Sequence, residues 1–451
     1  MNVTIPNKKF SGTIEVPESK SYAHRWLIAQ ALAGEHSKVI CKNNSRDIVA
    51  TIRCLEAISG RGPVIGREIC YMDCDESATT YRLILPIAAA LGKCCEFTLR
   101  GNLADRPMEP LFKALKVHGV RREDAESGKV RIAGRLTGGT FIIPGNISSQ
   151  FVSGLLMAAP LLSINSTIYV QGPLESSGYV DMTLSVLEQC GIEVTTEVNP
   201  TAGSSKNDFS HIYKVKGNQQ YHLPEKVVLE RDWSQAAFWL AAGALRIGPM
   251  VCPGMNIDSL QKDHQIVDVL RSFGAEIDVF RKNDIYGNPV PNEDVITVMG
   301  GNLHGISVDV ADIPDLVPVI ALVACKAKGI TIIRNAGRLK LKETDRLKTV
   351  RDALRALGAD IREFKDGLIV TGLITDEAKK ESEMAQKKGS KPKRIDYVLK
   401  GGKVNSYGDH RITMMCSIAS SIAFTPVQID NAESVTKSYP GFFEDLVNLQ
   451  K

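Results

Sequence analysis

Residues 339–348 read LKLKETDRLK, four cationic side chains and two carboxylates in ten positions. Such a stretch is either a solvated helix face with interleaved charge or a carboxylic acid held inside a site built for anions. Spacing separates the two. Leu347, Val350, Leu354 and Leu357 recur at intervals of three, four and three, which predicts an amphipathic helix starting near Thr344, a good N-cap. Lys342 and Glu343 then fall before the helix, in a strand-to-helix turn, and Arg346 in its first turn can point the same way. Lys340 and Lys348 remain ordinary solvated charges. A carboxyl between two cations loses its proton readily. Glu343 can therefore act as an acid only if something neutralises Lys342 and Arg346.

Other clusters have the same character. In VPESKSYAHR, Ser19 or Ser21 can cap a helix, and Ser21 and Arg25 stand four apart on one face beside Lys20. NISSQF places three donors, Ser148, Ser149 and Gln150, at the head of an apolar helix, which suits phosphate oxygens. Asp315 lies in DIPDLVP, where a helix dipole favours the ionised form and where it becomes a base only if a hydroxyl is brought to it. Arg82, Arg106 in ADRPMEP, Arg346, and Arg411 in GDHR occupy similar turns, and their planar forks grip carboxylate and phosphate bidentately. Together they imply a ligand carrying both groups. His410 in GDHR reads as structural.

The elements that position these residues repeat. A polar turn leads into an Ala/Leu-rich helix six times: SKSYAHRWLIAQALAG, ESATTYRLILPIAAALG, ISSQFVSGLLMAAPLL, RDWSQAAFWLAAGALR, DIPDLVPVIALVACKAKG and YGDHRITMMCSIASSIAF. Each is apolar nearly all round, as a helix at a domain centre is. A second, amphipathic helix follows, ending four times in Leu-x-x-x-Gly: LKVHGV, LEQCGI, LRSFGA and LRALGA. Tracts such as STIYVQG and GITIIRN read as strands. The expectation is an α/β protein of two domains, three βαβαββ units each, with the buried helices as cores. Helix heads gathered in one place present unpaired N–H groups and partial positive charge to an anion.

Composition narrows the class. A net charge of +4 over 451 residues argues against a dedicated nucleic-acid binder. The ten cysteines are scattered without zinc-ligand spacing and read as reduced thiols of a cytosolic protein. The first residues alternate like a strand and show neither a signal peptide nor a transit segment. The longest apolar run, Leu316 to Cys325, is half of what a bilayer requires, so no membrane association is expected. The low-complexity stretch 375–394 mixes charge with lysine in excess but carries no aromatics for base stacking, and reads as a solvated insertion.

In order along nearly the whole chain, PESKSYAHR, ESATTYR, DRPMEPL, NISSQF, ESSGYVDMT, ERDWSQA, DIPD, LKETDRL, YGDHR and KSYPGFF resemble the motifs of the 5-enolpyruvylshikimate-3-phosphate synthase (3-phosphoshikimate 1-carboxyvinyltransferase) family of enolpyruvyltransferases. LKETDRL and DHR with the lysine-serine head of VPESKS are the specific ones. The resemblance implies an inside-out α/β barrel in each domain and transfer of the enolpyruvyl group of phosphoenolpyruvate to the 5-hydroxyl of shikimate 3-phosphate. It implies no metal and no organic cofactor. Carried over by position, Lys20, Ser21, Arg25, Ser148, Ser149, Gln150, Ser176, Asp315 and Lys342 would hold shikimate 3-phosphate. Lys20, Ala78, Arg106, Gln150, Arg346, Arg411 and Lys437 would hold phosphoenolpyruvate. Asp315 would be the base, Glu343 the acid, and Lys20 would assist.

Three positions depart from the pattern. Ala78 stands where many members have glycine, so its methyl should weaken inhibition by glyphosate. Arg338 and Glu76 each replace a common asparagine, and those contacts are not carried over. The sister enzyme acting on a UDP-linked amino sugar has asparagine after the lysine, whereas Ser21 follows Lys20 here, and NLAD before Arg106 offers no cysteine. An RNA-binding relative using 375–394 as a basic arm would leave the anion motifs unexplained. The expected lobes are 20–228 and 1–19 with 229–451, joined twice, so that substrate drives closure. A cytoplasmic monomer is expected.

Overall fold

A computed structural model of the protein describes all residues except 36–37, 61–68, 124, 200–207, 246–247, 373–397 and 451. The predicted insertion at 375–394 lies outside the described residues. The chain divides into two compact units, Met1–Pro17 with Glu230–Lys451, and Glu18–Leu229.

Two short strands, β1 (Val3–Ile5) and β2 (Gly12–Thr13), precede the helices α1 (Lys20–Leu32) and α2 (Arg46–Ile58). Then come β3 (Ile69–Asp73), α3 (Ala78–Ala90), β4 (Cys94–Thr98), α4 (Glu109–Val117), β5 (Arg121–Glu123) and β6 (Lys129–Ala133). The same order returns in β7 (Gly139–Pro144), α5 (Ser149–Ala158), β8 (Ser166–Gln171), α6 (Gly178–Gln189), β9 (Val194–Val198) and β10 (Phe209–Val215).

The second unit continues with α7 (Trp233–Leu245), β11 (Met250–Met255), α8 (Ile266–Phe273), β12 (Glu276–Phe280) and β13 (Asp294–Met299). A further copy is β14 (Ser307–Asp309), α9 (Val317–Lys326), β15 (Gly329–Arg334), α10 (Arg346–Ala356), β16 (Asp360–Phe364) and β17 (Gly367–Gly372). The chain closes with β18 (Gly402–Asn405), α11 (His410–Ala419), β19 (Val427–Asp430) and α12 (Phe442–Leu449).

Four of the sheets share one topology, β3-β4-β6-β5, β7-β8-β10-β9, β2-β11-β13-β12 and β14-β15-β17-β16. In each, the first pair is parallel and the last strands run antiparallel; a single buried helix makes the crossover in three of them, whereas the Glu18–Leu229 unit and α7 intervene between β2 and β11. The fifth sheet, β1-β19-β18, has three described strands. The unit that begins at Glu18 shows its first copy as α1, α2 and the single bridge Val39↔Val227. Among the described residues four of the six expected copies show a four-stranded sheet, and the mixed α/β class holds.

All six Ala/Leu-rich segments form helices, α1, α3, α5, α7, α9 and α11, and their side chains fill the two cores. Each fully buried aliphatic side chain contributes about 1.5–3 kcal/mol relative to exposure. The glycines after α4, α6, α8 and α10, Gly119, Gly191, Gly274 and Gly358, all have positive φ, the left-handed conformation that ends a helix. Leu347, Val350, Leu354 and Leu357 are fully buried, as the amphipathic spacing requires.

One contact between buried helices sets up the site. Pro86 inside α3 has no N–H, so the carbonyl of Arg82 has no helical donor. Gly154 of α5 packs against that carbonyl so closely that a Cβ would lie 2.4 Å from the oxygen. The heads of α3 and α5 are thereby held side by side.

Candidate active site

In the unit containing Glu230–Lys451, three helix heads bring their charges together. Asp315 sits in a tight turn, Pro314–Leu316, that leads into α9. Arg346 opens α10, and Arg411 is the second residue of α11. The N-cap of α10 is Asp345, whose carboxylate accepts from the Lys348 N–H, one residue beyond the predicted Thr344. Asp is as good a cap as Thr, and Thr344 is drawn elsewhere: its hydroxyl donates to Asp409 Oδ2 at 3.2 Å. A short 3-10 turn, Gly337–Leu341, intervenes between β15 and Lys342, so the predicted strand-to-helix turn is longer than expected.

The buried Arg346 guanidinium is shared among three carboxylates. Nη1 donates to Asp315 Oδ1 at 2.8 Å, Nε to Asp409 Oδ2 at 2.9 Å, and Nη2 to Glu343 and to Asp409 Oδ1 at 3.3 Å. Asp315 also meets Lys342 Nζ at 3.2 Å and Arg411 Nη2 at 3.3 Å. Its carboxyl is pushed up by burial, but the charges of Arg411, Lys342 and Arg346 outweigh this and hold it well below the usual range. Burial pulls the Lys342 ammonium down to about 8, against the opposing pull of Asp315, with Arg346 and Arg338 adding repulsion. For Arg346 burial works against the charge, and Asp409, Glu343 and Asp315 more than offset it. Lys437 donates to the Gly408 carbonyl at 2.9 Å in the loop before α11. His410 is buried with Nδ1 3.9 Å from Asp409 Oδ1.

Sequence reasoning missed Asp409 and Asp263. Asp409 is fully buried, caps α11 by accepting from the Arg411 N–H at 2.9 Å, and balances Arg346. The available signal was an acidic residue in the cap position of a buried helix, read there only as part of GDHR. Asp263 accepts from the Ser234 hydroxyl at the head of α7. Burial and then the charge of Asp315 push its carboxyl up to about 6, against Arg411 and the Ser234 bond.

In the Glu18–Leu229 unit the other carried-over residues form their own groups. Ser19, not Ser21, caps α1, accepting from the Tyr22 N–H at 3.4 Å. Lys20, the first helical residue, pairs with Asp47 of α2 at 2.6 Å. Arg25 is buried and donates to Thr183 Oγ1 at 2.8 Å and to the carbonyls of Ser21 and Tyr179, both at 2.7 Å. Burial lowers it to about 10.

At the paired heads of α3 and α5, Arg82 donates to Gln150 Oε1 at 3.1 Å, Ser148 Oγ at 3.3 Å and the Pro107 carbonyl at 3.0 Å. Gln150 Nε2 in turn donates to Thr79 Oγ1 at 2.8 Å, beside Ala78, the first residue of α3. Ser149 is buried at the start of α5. Arg106 follows the turn Gly101–Asp105. Ser176 is buried with φ +54°, a left-handed conformation uncommon for serine. Glu76 lies 3.7 Å from Arg46. Arg82 thus emerges as a brace for Gln150 and Ser148, a role its sequence position did not reveal.

These features define a class: a repeated mixed α/β enzyme whose buried helix heads array guanidinium, ammonium and hydroxyl groups suited to a small polyanion. The family model described as EPSP synthase (3-phosphoshikimate 1-carboxyvinyltransferase) matches residues 5–446. A 3-phosphoshikimate 1-carboxyvinyltransferase of Clostridium kluyveri is 38% identical over 467 residues, covering 99% of this chain and 97% of that protein. One from Clostridium perfringens is 35% identical over 461 residues, covering 99% and 98%. A solved structure of EPSP synthase from Acinetobacter baumannii has a TM-score of 0.73 at 24% identity, covering 100% of this chain and 98% of that one, and shows the same fold. The chain belongs to the EPSP synthase family. It is an enolpyruvyltransferase of the shikimate pathway.

Removing one partner of a buried ion pair leaves the other charge uncompensated. Asp409→Ala should lower unfolding free energy by about 3–5 kcal/mol in urea titrations. A loss below about 1 kcal/mol would show that Arg346 does not depend on it.

Proposed function

We propose that this enzyme transfers the enolpyruvyl group of phosphoenolpyruvate to the 5-hydroxyl of shikimate 3-phosphate and releases inorganic phosphate. The observation that supports this most is the Asp315 carboxylate held among Lys342, Arg346 and Arg411 with Glu343 on the same guanidinium. Glu343 protonates the methylene carbon of phosphoenolpyruvate while the 5-hydroxyl oxygen attacks the adjacent carbon and yields its proton to Asp315. The tetrahedral adduct then returns a proton from the new methyl group, the carbon–oxygen bond to phosphate breaks, and the double bond reforms.

Lys20 assists charge transfer, and the arginines stabilise the dianion and the leaving phosphate. Lys20, Ser21, Arg25, Ser148, Ser149, Gln150, Ser176, Asp315 and Lys342 bind shikimate 3-phosphate. Lys20, Ala78, Arg106, Gln150, Arg346, Arg411 and Lys437 bind phosphoenolpyruvate. The reading also includes an inside-out α/β barrel in each unit, a monomer, a cytoplasmic location, and no metal or organic cofactor.

In the substrate-free protein Asp315 is a poor base, because three cations stabilise its ionised form. Anionic substrates draw those cations to themselves. Asp315 then becomes more basic and Glu343 holds its proton more firmly, so the acid and base are armed only with both substrates bound.

The direct test is phosphate release from phosphoenolpyruvate with shikimate 3-phosphate or UDP-N-acetylglucosamine as acceptor. Release is expected with the first, and release with the second alone overturns the assignment. A pH series gives a second check. The Lys342 ammonium is present below its pKa of about 8 and is lost above it. Affinity for shikimate 3-phosphate should therefore fall as pH rises through that value, by at most about tenfold per unit, and Lys342→Met should abolish the step. A third concerns Ala78, whose methyl narrows the phosphoenolpyruvate position. Ala78→Gly should lower the glyphosate concentration needed for half inhibition by roughly tenfold, one lost methyl contact or clash being worth about that much. Equal inhibition of both proteins would remove Ala78 from the argument.

A further inference from the structure

A file of buried polar side chains runs through α1, α2 and α3. His24 Nδ1 lies 2.7 Å from Thr51 Oγ1, Thr51 Oγ1 lies 2.6 Å from Thr80 Oγ1, and Thr80 Oγ1 donates to Ser77 Oγ at 2.7 Å. All four are buried, His24 at 1% exposure and the threonines at 0%. Ser77 is the N-cap of α3, and its oxygen also accepts from the Thr80 N–H at 3.2 Å. None of these contacts is used by the chemistry above.

Counting hydrogens gives the file a direction. Each hydroxyl has one proton to give. Thr80 gives its proton to Ser77, so Thr51 must give its own to Thr80, and His24 Nδ1 must then be the donor to Thr51. Imidazole is thereby fixed as the Nδ1–H tautomer. Its other nitrogen, Nε2, is buried and meets no partner among the described residues, which suits a bare lone pair better than an N–H or an imidazolium. Burial, with Lys20 and Arg25 nearby, keeps the ring neutral.

The file ends where the proposed phosphoenolpyruvate residues begin. Ala78 directly follows Ser77, Thr79 accepts from Gln150, and Asp47, whose carbonyl lies 3.3 Å from Thr80 Oγ1, pairs with Lys20. We propose that His24, Thr51, Thr80 and Ser77 form a one-way hydrogen-bonded file that positions the head of α3, with Ala78 and Thr79, to receive phosphoenolpyruvate. Thr51 is its key positioning residue, since it is the link of the file that lies on α2 and joins His24 of α1 to Thr80 of α3. This rests on the substrate reading given above.

The test pairs Thr51→Val with Thr51→Ser. Valine keeps the branched shape without the donor; serine restores the donor. Thr51→Val should raise the KM for phosphoenolpyruvate roughly tenfold, the scale of one lost buried hydrogen bond, and leave the KM for shikimate 3-phosphate within about twofold. Thr51→Ser should return the first value to that of the unchanged protein. An equal rise in both KM values, no rise in either, or no rescue by serine overturns the proposal.

Nitrogen-15 NMR of the unchanged protein needs no variant to fold. It should show a neutral His24 ring protonated at Nδ1 across the range where free histidine titrates, and an Nε2–H tautomer or a titrating ring would overturn the file. Absence of turnover with both substrates would instead sink the substrate reading, and the tautomer result would stand apart from it.

Discussion

Arg346 is a guanidinium taken wholly out of water and satisfied by Asp315, Glu343 and Asp409, which arrive on separate chain segments. Burying a lone cation would cost far more than any fold could recover, so each of these carboxylates is obligatory for the others' geometry. The turn before α9, the turn before α10 and the cap of α11 are all located by this one side chain. Lys342 and Arg411 then bring the cluster to three cations against three carboxylates, with all three cations on Asp315.

The repeated architecture makes such crowding affordable. A wholly apolar helix starts at a buried position at least cost when its first N–H groups find acceptors, and the heads of α1, α3, α5 and α11 each supply one from a side chain. Ser19, Ser77, Ser148 and Asp409 do so by direct hydrogen bonds, as Asp345 does for the amphipathic α10. The unit beginning at Glu18 solves the problem with serine hydroxyls, whereas the other uses carboxylates such as Asp232 and Asp409. Neutral acceptors tolerate burial more easily, and charged ones give stronger fields.

How much was legible follows from what each signal measures. The six apolar helices and the four glycine stops were readable because burial and positive φ leave compositional marks on a single segment. The cluster of Lys342, Glu343 and Arg346 was readable for the same reason, being local. Asp409 and Arg82 were not, since their work is to brace residues distant in sequence, and nothing in GDHR or ESATTYR separates a brace from a ligand. Thr344 was misplaced as the cap by one residue because Asp345 caps equally well and only the pull of Asp409 decides between them. The sheets were the least legible part: β2 supplies a strand to a copy whose helix starts at Trp233, a pairing that no local pattern announces.

That split copy has a consequence for how the chain is made. Gly12 and Thr13 pair with Met250 and Val251, and Val3–Ile5 pair with residues 427–429. The stretch Glu18–Leu229 is continuous and holds its own core, so it can condense while the ribosome is still working. Val3–Ile5 must wait for residues 427–429 before β1 finds β19, on the order of a minute at ordinary elongation speeds. During that interval β1 and β2 stand without their sheets, and a segment made before the Glu18–Leu229 unit folds after it.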